Sequence, residues 1–280
     1  MNTNESATAA YYAHDRLYQT IIQALAAAGR PAGTITAKEL APVDEFHVRG
    51  QEVSRELAAA AALQPGMRVL DVGCGLGGAC RLLAGEYGCE VTGIDITPDY
   101  VQTAEKLSAL TGLQHKTRFI TGSALALPFS NNSFDVVWTQ HVQMNIADKS
   151  LFYSEIKRVL TTTGRFVYYD ILSGQDAPLH FPLPWASDIN GSHLITAQQL
   201  YTLLQTMGWQ RVQVRDETAK GIAFFETLFN RIAQKGLPAL GLHLLMGDNA
   251  PEKLQNLRTN LVEGRVVLES GVYDNFSRSS

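Results

Sequence analysis

Val69-Leu70-Asp71-Val72-Gly73-Cys74-Gly75-Leu76-Gly77-Gly78 is an apolar run that ends in a glycine-rich turn, and a helix-compatible segment follows at 79–87. Glycines there let the backbone turn tightly and approach a ligand, with the N–H groups of the following helix facing it. Such a loop alone would suit a dinucleotide equally well. Three details narrow the choice. Asp71 sits two positions before the first glycine, inside the strand end. The glycines fall at 73, 75 and 77, not at the spacing of the dinucleotide fingerprint. A second acid, Asp95, closes the next apolar run in Gly93-Ile94-Asp95-Ile96-Thr97, where a carboxylate can accept both hydroxyls of a ribose.

Outward from this stretch, β-type runs at 67–72, 90–94, Thr117–Thr121, 134–139 and 165–169 alternate with helical segments. Thr97 and Pro98 form an N-cap and first-turn pair for a helix at Pro98–Leu110, and a further helix is expected at 148–160. Regular alternation of this kind predicts an α/β fold, a parallel sheet with helices on both faces. Residues 11–62 read as largely helical, broken at Gly29-Arg30-Pro31 and at Pro42. The segment 173–192 carries Pro178, Pro182 and Pro184 with Phe181 and Trp185, which reads as a structured loop. A helix at 196–207, a strand at 209–215, helical residues over 221–260 and a β-type stretch at 265–276 follow. The domain organisation predicted is an N-terminal helical cap (1–62), a cofactor-binding core (63–220), a helical insertion over the active site (221–262) and a final strand of the core sheet (263–280).

Composition removes several classes of function. With 23 basic against 27 acidic side chains and no basic stripe, the chain lacks the surplus that nucleic-acid binding requires. The three cysteines, Cys74, Cys80 and Cys89, form neither a disulfide framework nor a metal-ligand spacing, so reduced thiols in a cytoplasmic protein and no metal are expected. The start of the chain lacks the pattern of a signal peptide, and the apolar run 57–63 is too short to span a bilayer. A soluble protein, without membrane insertion and free to form a homodimer, is the expectation.

With these motifs in hand, the sequence resembles the class I S-adenosylmethionine-dependent methyltransferases, in particular the ubiquinone/menaquinone-type and sarcosine/dimethylglycine-type small-molecule enzymes. The resemblance spans roughly residues 44–215. It includes Asp44-Glu45-Phe46-His47-Val48-Arg49-Gly50 ahead of the core, Leu127-Pro128-Phe129 before Ser133-Phe134-Asp135-Val136-Val137-Trp138, and the stretch from Glu155 to Gly164. It implies a Rossmann-like, mostly parallel seven-stranded sheet. Its last strand, near 265–275, would run antiparallel beside the strand at 209–215. It also implies S-adenosylmethionine as cofactor. Asp71, Gly73, Cys74, Gly75 and Gly77 would surround its methionine end, Asp95 its ribose, and Ile96 and Thr97 its adenine side. The family usually has an acid or amide after the third strand, meeting the adenine amino group; here Gly122-Ser123-Ala124 stands, with Ser123, Ala124 and Leu125 as candidates for that contact. After the fourth strand, Thr139-Gln140-His141 and Asn145 depart from the commoner motifs and suggest an altered substrate pocket.

The remaining assignments rest on position. Gln140 is expected at the cofactor, His141 as general base, and His141, Asn145, Trp185 and Tyr12 at the acceptor. Tyr11, Phe181, Phe224 and Phe225 belong to the same apolar roof, while His180 and His193 read as surface residues. Arg49 and Lys149 are the principal cations nearby. A histidine titrates near neutrality and suits proton removal, which an acceptor already carrying a lone pair does not need. The expected function is therefore in-line methyl transfer to a small, partly apolar acceptor on nitrogen, oxygen or carbon. Two alternatives stand beside it: a nicotinamide-dependent dehydrogenase, disfavoured by the glycine spacing, and a non-catalytic protein that binds S-adenosylmethionine or S-adenosylhomocysteine.

Overall fold

Apolar residues on both faces of a strand require cover on both sides, and this requirement organises the molecule. The computed structural model describes residues 3–13, 16–30 and 35–276. Pro31, read as a helix breaker, and the last four residues of the 263–280 segment lie outside them. The chain opens with helices α1 (Thr3–Tyr12), α2 (Leu17–Ala27), α3 (Ala37–Asp44) and α4 (Gln51–Ala60). The core follows as β1 (Arg68–Val72), α5 (Gly78–Glu86), β2 (Glu90–Asp95), α6 (Pro98–Leu110), β3 (Thr117–Thr121) and β4 (Phe134–Gln140). It continues through α7 (Lys149–Val159), β5 (Leu160–Ser173), α8 (Ala197–Thr206) and β6 (Gln210–Asp216). Helices α9 (Thr218–Lys235), α10 (His243–Met246) and α11 (Ala250–Val262) then lead into β7 (Val266–Asp274).

The seven strands form one sheet in the order β3-β2-β1-β4-β5-β7-β6. The first five pair in parallel, and β7 runs antiparallel to both β5 and β6. This is the inserted antiparallel strand that the resemblance implied. Val69, Val91, Val136 and Trp138 join one core, and Leu70, Val72 and Val137 the other, as the two-residue period of a strand demands. A third cluster, with Leu17, Ile21, Leu40, Val43, Tyr100, Leu107 and Leu245, packs the N-terminal helices against α6 and α10. Among the described residues no helix is long and apolar enough to cross a membrane.

Two boundaries differ from the sequence reading for physical reasons. β5 is 14 residues long rather than the five expected at 165–169, because Leu160 pairs with Phe134 and Ser173 with Val266. Polar Thr161–Thr163 and Gly164 hide that extension from any apolar pattern. The helical residues 221–260 divide into α9, α10 and α11, broken at Gly236 and Gly247. Thr97 occupies the N-cap position of α6 ahead of Pro98 but makes no side-chain cap bond, whereas the caps of α7 and α8 are made by side chains. Thr196 and Gln199 form a capping box at α8, and Asp148 caps α7 by accepting from Leu151 N–H at 2.9 Å.

Arg81 fastens the cap to the core. Its fully buried guanidinium donates to Asp44 Oδ2 (2.6 Å), Leu76 O (2.6 Å), Ser108 Oγ (3.2 Å) and Ala104 O (3.3 Å). One side chain on α5 thereby joins the end of α3, the glycine loop and α6. Arg81→Met keeps the apolar stem but strands the Asp44 carboxyl in the interior. Loss of one partner of a buried pair costs about 3–5 kcal/mol, and urea denaturation should register a destabilisation of that size. A variant as stable as the parent would contradict this role.

Candidate active site

At the carboxyl end of β1 the chain turns through Gly73, whose φ of 74° places it in the left-handed region. A Cβ there would stand 2.5 Å from Val142 Cγ2, so only glycine lets this turn pack beneath the segment after β4. The turn is tied to β2 by Gly73 N–H and Cys74 N–H, both donating to Ile94 O at 2.8 and 3.1 Å. Gly75 N–H then donates to Asp95 Oδ2, and Thr97 N–H to Asp95 Oδ1, each at 2.9 Å. Each carboxylate oxygen holds one backbone donor and keeps acceptor capacity toward the cleft.

Among the described residues, that cleft, of about 1060 Å³, is lined by four acids, Glu5, Asp44, Asp71 and Asp95, and by no lysine or arginine. Burial pushes Asp71 up to about 7 and Asp44 up to about 6, and raises Asp95 as well. For Asp44 the raising by burial outweighs the neighbouring Arg81. Asp44 Oδ1 has no hydrogen-bond partner among the described residues.

A second cavity, of about 510 Å³, adjoins the first. Its walls include Phe224, Phe225, Leu228, Met246, Leu257 and Trp185. The two cavities share Tyr12, Phe46, His47 and His141, which form the wall between them. His47 is held by a chain of donors. Trp138 Nε1–H donates to Gln140 Oε1 (2.9 Å), Gln140 Nε2 to Ser54 Oγ (3.1 Å), and Ser54 O–H to Glu45 Oε2 (3.5 Å). Glu45 Oε2 in turn accepts from His47 Nε2 at 2.7 Å.

His141 is held differently. Its φ of 54° is left-handed, and its N–H donates to Tyr169 O at 2.8 Å. The next two N–H groups, of Val142 and Gln143, converge on Asp170 Oδ1 at 2.9 and 3.3 Å. Lys149 Nζ closes the segment by donating to the carbonyls of Gln143, Ile146 and His193. His141 Nε2 has no hydrogen-bond partner among the described residues. Burial, and next His47, push its pKa well below 6.5, so the ring is neutral rather than poised near neutrality as expected from the residue type.

Of the residues expected at the cofactor, Asp71, Gly73, Cys74, Gly75, Asp95, Ile96, Ala124, Leu125 and Gln140 line the first cavity. Gly77, Thr97 and Ser123 do not. Gly77 is glycine because a Cβ would press 2.6 Å from the Phe119 ring, and Thr97 holds Asp95 from behind. Ser123 Oγ accepts from Leu125 N–H and bonds Glu5 Oε1. Asn145 lies in the first cavity, Trp185 in the second, and Tyr12 and His141 in both. Buried Trp185 donates to Ser192 Oγ at 3.0 Å. His193 is not a plain surface residue, since its ring meets Asn4 Oδ1 at 3.1 Å. Asn4, Glu5 and Thr8 were missed because a helix remote in sequence leaves no spacing signal, and Tyr100, on α6 shortly after Asp95, was not singled out. An NMR titration assigned with His141→Gln should give His141 a midpoint clearly below 6.5, the neutral ring persisting as pH falls. A midpoint at or above 6.5 would contradict the burial argument.

Residues 63–208 match a family described as "Methyltransferase domain". The 2-methyl-6-phytyl-1,4-hydroquinone methyltransferase of Synechocystis sp. is 42% identical over 121 residues, 42% of this chain and 37% of that protein. The glycine/sarcosine/dimethylglycine N-methyltransferase of Actinopolyspora halophila is 32% identical over 136 residues, 49% of this chain and 24% of its own length. These are the two kinds of enzyme that the motifs resembled, although the chain spans well under half the length of either. A solved geranyl diphosphate methyltransferase, in complex with GPP and sinefungin, has the same fold, with a TM-score of 0.72 at 15% identity over 98% of this chain and 99% of that one. By its matched core and its sheet order, the chain belongs to the methyltransferase domain family.

Proposed function

We propose that the chain transfers a methyl group from S-adenosylmethionine to a small, partly apolar acceptor by in-line displacement. The observation that carries this reading is the first cavity's four acids with no lysine or arginine among its lining residues. A sulfonium cofactor with an ammonium group is a cation that such a cleft favours, whereas a dinucleotide's pyrophosphate would be repelled. In this reading Asp95 accepts from the ribose hydroxyls, and Asp71 with the loop 73–75 meets the methionine end. An added Cβ at Gly75 would meet nothing within 4 Å, which leaves room for the ligand beside that loop. Ile96, Ala124 and Leu125 offer an apolar slot for the adenine. When bound, the cofactor supplies an electrophilic methyl on a good leaving group, so the protein's tasks are alignment and exclusion of water.

The acceptor belongs in the second cavity, across the wall of Tyr12, Phe46, His47 and His141. Its lining is apolar apart from the two histidines and Tyr12. The cations nearby are already engaged. Arg49 is paired with Glu52 (2.7 Å), Glu56 (2.6 Å) and Glu217 (3.0 Å), and Lys149 with three carbonyls. This supports a neutral, largely apolar acceptor over a phosphorylated one, a pattern common in small-molecule pockets. Neutral His141 can accept a proton where the nucleophile must lose one, and nitrogen, oxygen and carbon acceptors all fit. A cavity built for a second molecule supports turnover over mere cofactor binding. Both cavities arise within one chain, so a homodimer is not required. The three buried free thiols suit a reducing compartment such as the cytoplasm.

Incubation with a metabolite extract and S-adenosylmethionine should yield S-adenosylhomocysteine and a product one methyl heavier by mass spectrometry; neither appearing would refute the reading. Asp95→Ala removes hydrogen bonds to a charged acceptor worth roughly 1.5–3 kcal/mol each, so cofactor affinity should fall at least about tenfold by calorimetry. An unchanged affinity in the folded variant would sink the assignment of the ribose. His141→Ala should lower kcat while leaving the cofactor Kd almost unchanged. Equal losses in both would make His141 a cofactor ligand, and unaltered turnover would mean that the acceptor needs no base.

A further inference from the structure

The apolar slot formed by Ile96, Ala124 and Leu125 lacks an acid of its own at its rim, where Ser123 stands. A purine amino group carries two N–H donors, and a buried one left without an acceptor is costly. The acceptor comes from 118 residues away. Glu5, on the first turn of α1, is 8% exposed, lines the first cavity and is hydrogen-bonded through Oε1 to Ser123 Oγ. The direction of that bond is fixed. Ser123 Oγ accepts Leu125 N–H at 3.0 Å and donates its own proton to Glu5 Oε1. A carboxylate has about four acceptor positions, so Glu5 can hold Ser123 and accept from further donors at once.

We propose that Glu5, carried by α1 and aimed by Ser123, accepts the exocyclic amino group of the cofactor's adenine. The proposal rests on the reading that the first cavity holds S-adenosylmethionine. It makes α1 part of the binding site rather than a cover. The same helix reaches the wall between the cavities with Tyr12, and it is tied down by Asn4 Nδ2 donating to Asn145 O (3.1 Å) and Tyr11 O–H donating to Leu183 O (2.9 Å). A bond from adenine to Glu5 therefore couples cofactor binding to completion of that wall.

The test uses S-adenosylhomocysteine and S-inosylhomocysteine, in which a carbonyl oxygen replaces the amino group and the neighbouring ring nitrogen N1 carries a proton. The wild-type chain should prefer the amino form by at least about tenfold in Kd, the value of one charged hydrogen bond. Glu5→Ala should abolish most of that preference. In Glu5→Gln, whose amide both donates and accepts, it should narrow to within a few-fold. The double variant Glu5→Ala/Ser123→Asp, which moves a carboxylate to the other side of the same contact, should restore it. That rescue separates recognition of the base from general loosening of α1. A preference unchanged in Glu5→Ala, absent from the wild type, or not restored by Ser123→Asp overturns the proposal. A wild-type chain that binds neither compound overturns the cofactor reading itself, and this inference with it.

Discussion

Everything at this site hangs on the way the glycine turn after β1 is bound to the end of β2. Two backbone donors, of Gly73 and Cys74, take up Ile94 O, and two more, of Gly75 and Thr97, take up the two oxygens of Asp95. Parallel strands end without a partner for their last groups, and here the turn itself supplies them. The consequence is chemical as well as structural. A carboxylate held by two backbone donors cannot rotate away, so its remaining lone pairs point in a fixed direction. Loss of the left-handed conformation at Gly73 would release the turn, and a side chain there would collide with Val142. The position of His141, one residue earlier in that segment, is thereby linked to the position of Asp95 across the sheet.

The electrostatics follow from that geometry. Asp71 and Asp44 are buried beside an open cavity, and burial raises both, to about 7 and about 6. Such groups are costly in the empty protein, and Arg81 offsets only Asp44, on the side away from the cleft. A cationic ligand lowers these values by stabilising the ionised forms, so its binding draws protons off the site. At these groups a cationic ligand is therefore favoured over a neutral or anionic one. At the second cavity the opposite policy holds. Its lining is apolar apart from His47, His141 and Tyr12, and Arg49, outside that lining, is engaged by three carboxylates. Two adjoining cavities with different chemistry suit two reactants of different chemistry.

Much of this was legible in the residues. The order of strands and helices could be read because each core strand carries apolar side chains on both faces, and because Asp71, the glycines and Asp95 mark successive strand ends. The inserted antiparallel strand was available only through the family resemblance, since nothing in the 265–276 stretch states its direction. The full length of β5 was hidden because polar Thr161–Thr163 and Gly164 lie at a register shift between Leu160 and Arg165, the residues that pair with β4. Position also misled on chemistry. Gly77 and Thr97 flank the site but serve the packing of Phe119 and the support of Asp95. Glu5 could not be found at all, because its partner Ser123 lies 118 residues away and no local pattern joins them.

The wall between the cavities shows why the cap and the core cannot be treated apart. Tyr12 comes from α1, Phe46 and His47 from the segment after α3, and His141 from the end of β4. Each is positioned by a different device: the side-chain bonds of α1, the relay from Trp138 to Glu45, and the convergence of backbone donors on Asp170. An in-line transfer tolerates little misplacement, and an error near 1 Å can cost on the order of a hundredfold in rate. In the proposed reaction, residues that touch neither reactant, such as Trp138 and Asp170, would bear on the transfer through the histidines they hold. Asp170 bears on His141 through the backbone: His141 is left-handed, with φ of 54°, a conformation that costs a residue with a Cβ, and the two N–H groups that follow it are both fixed on Asp170 Oδ1.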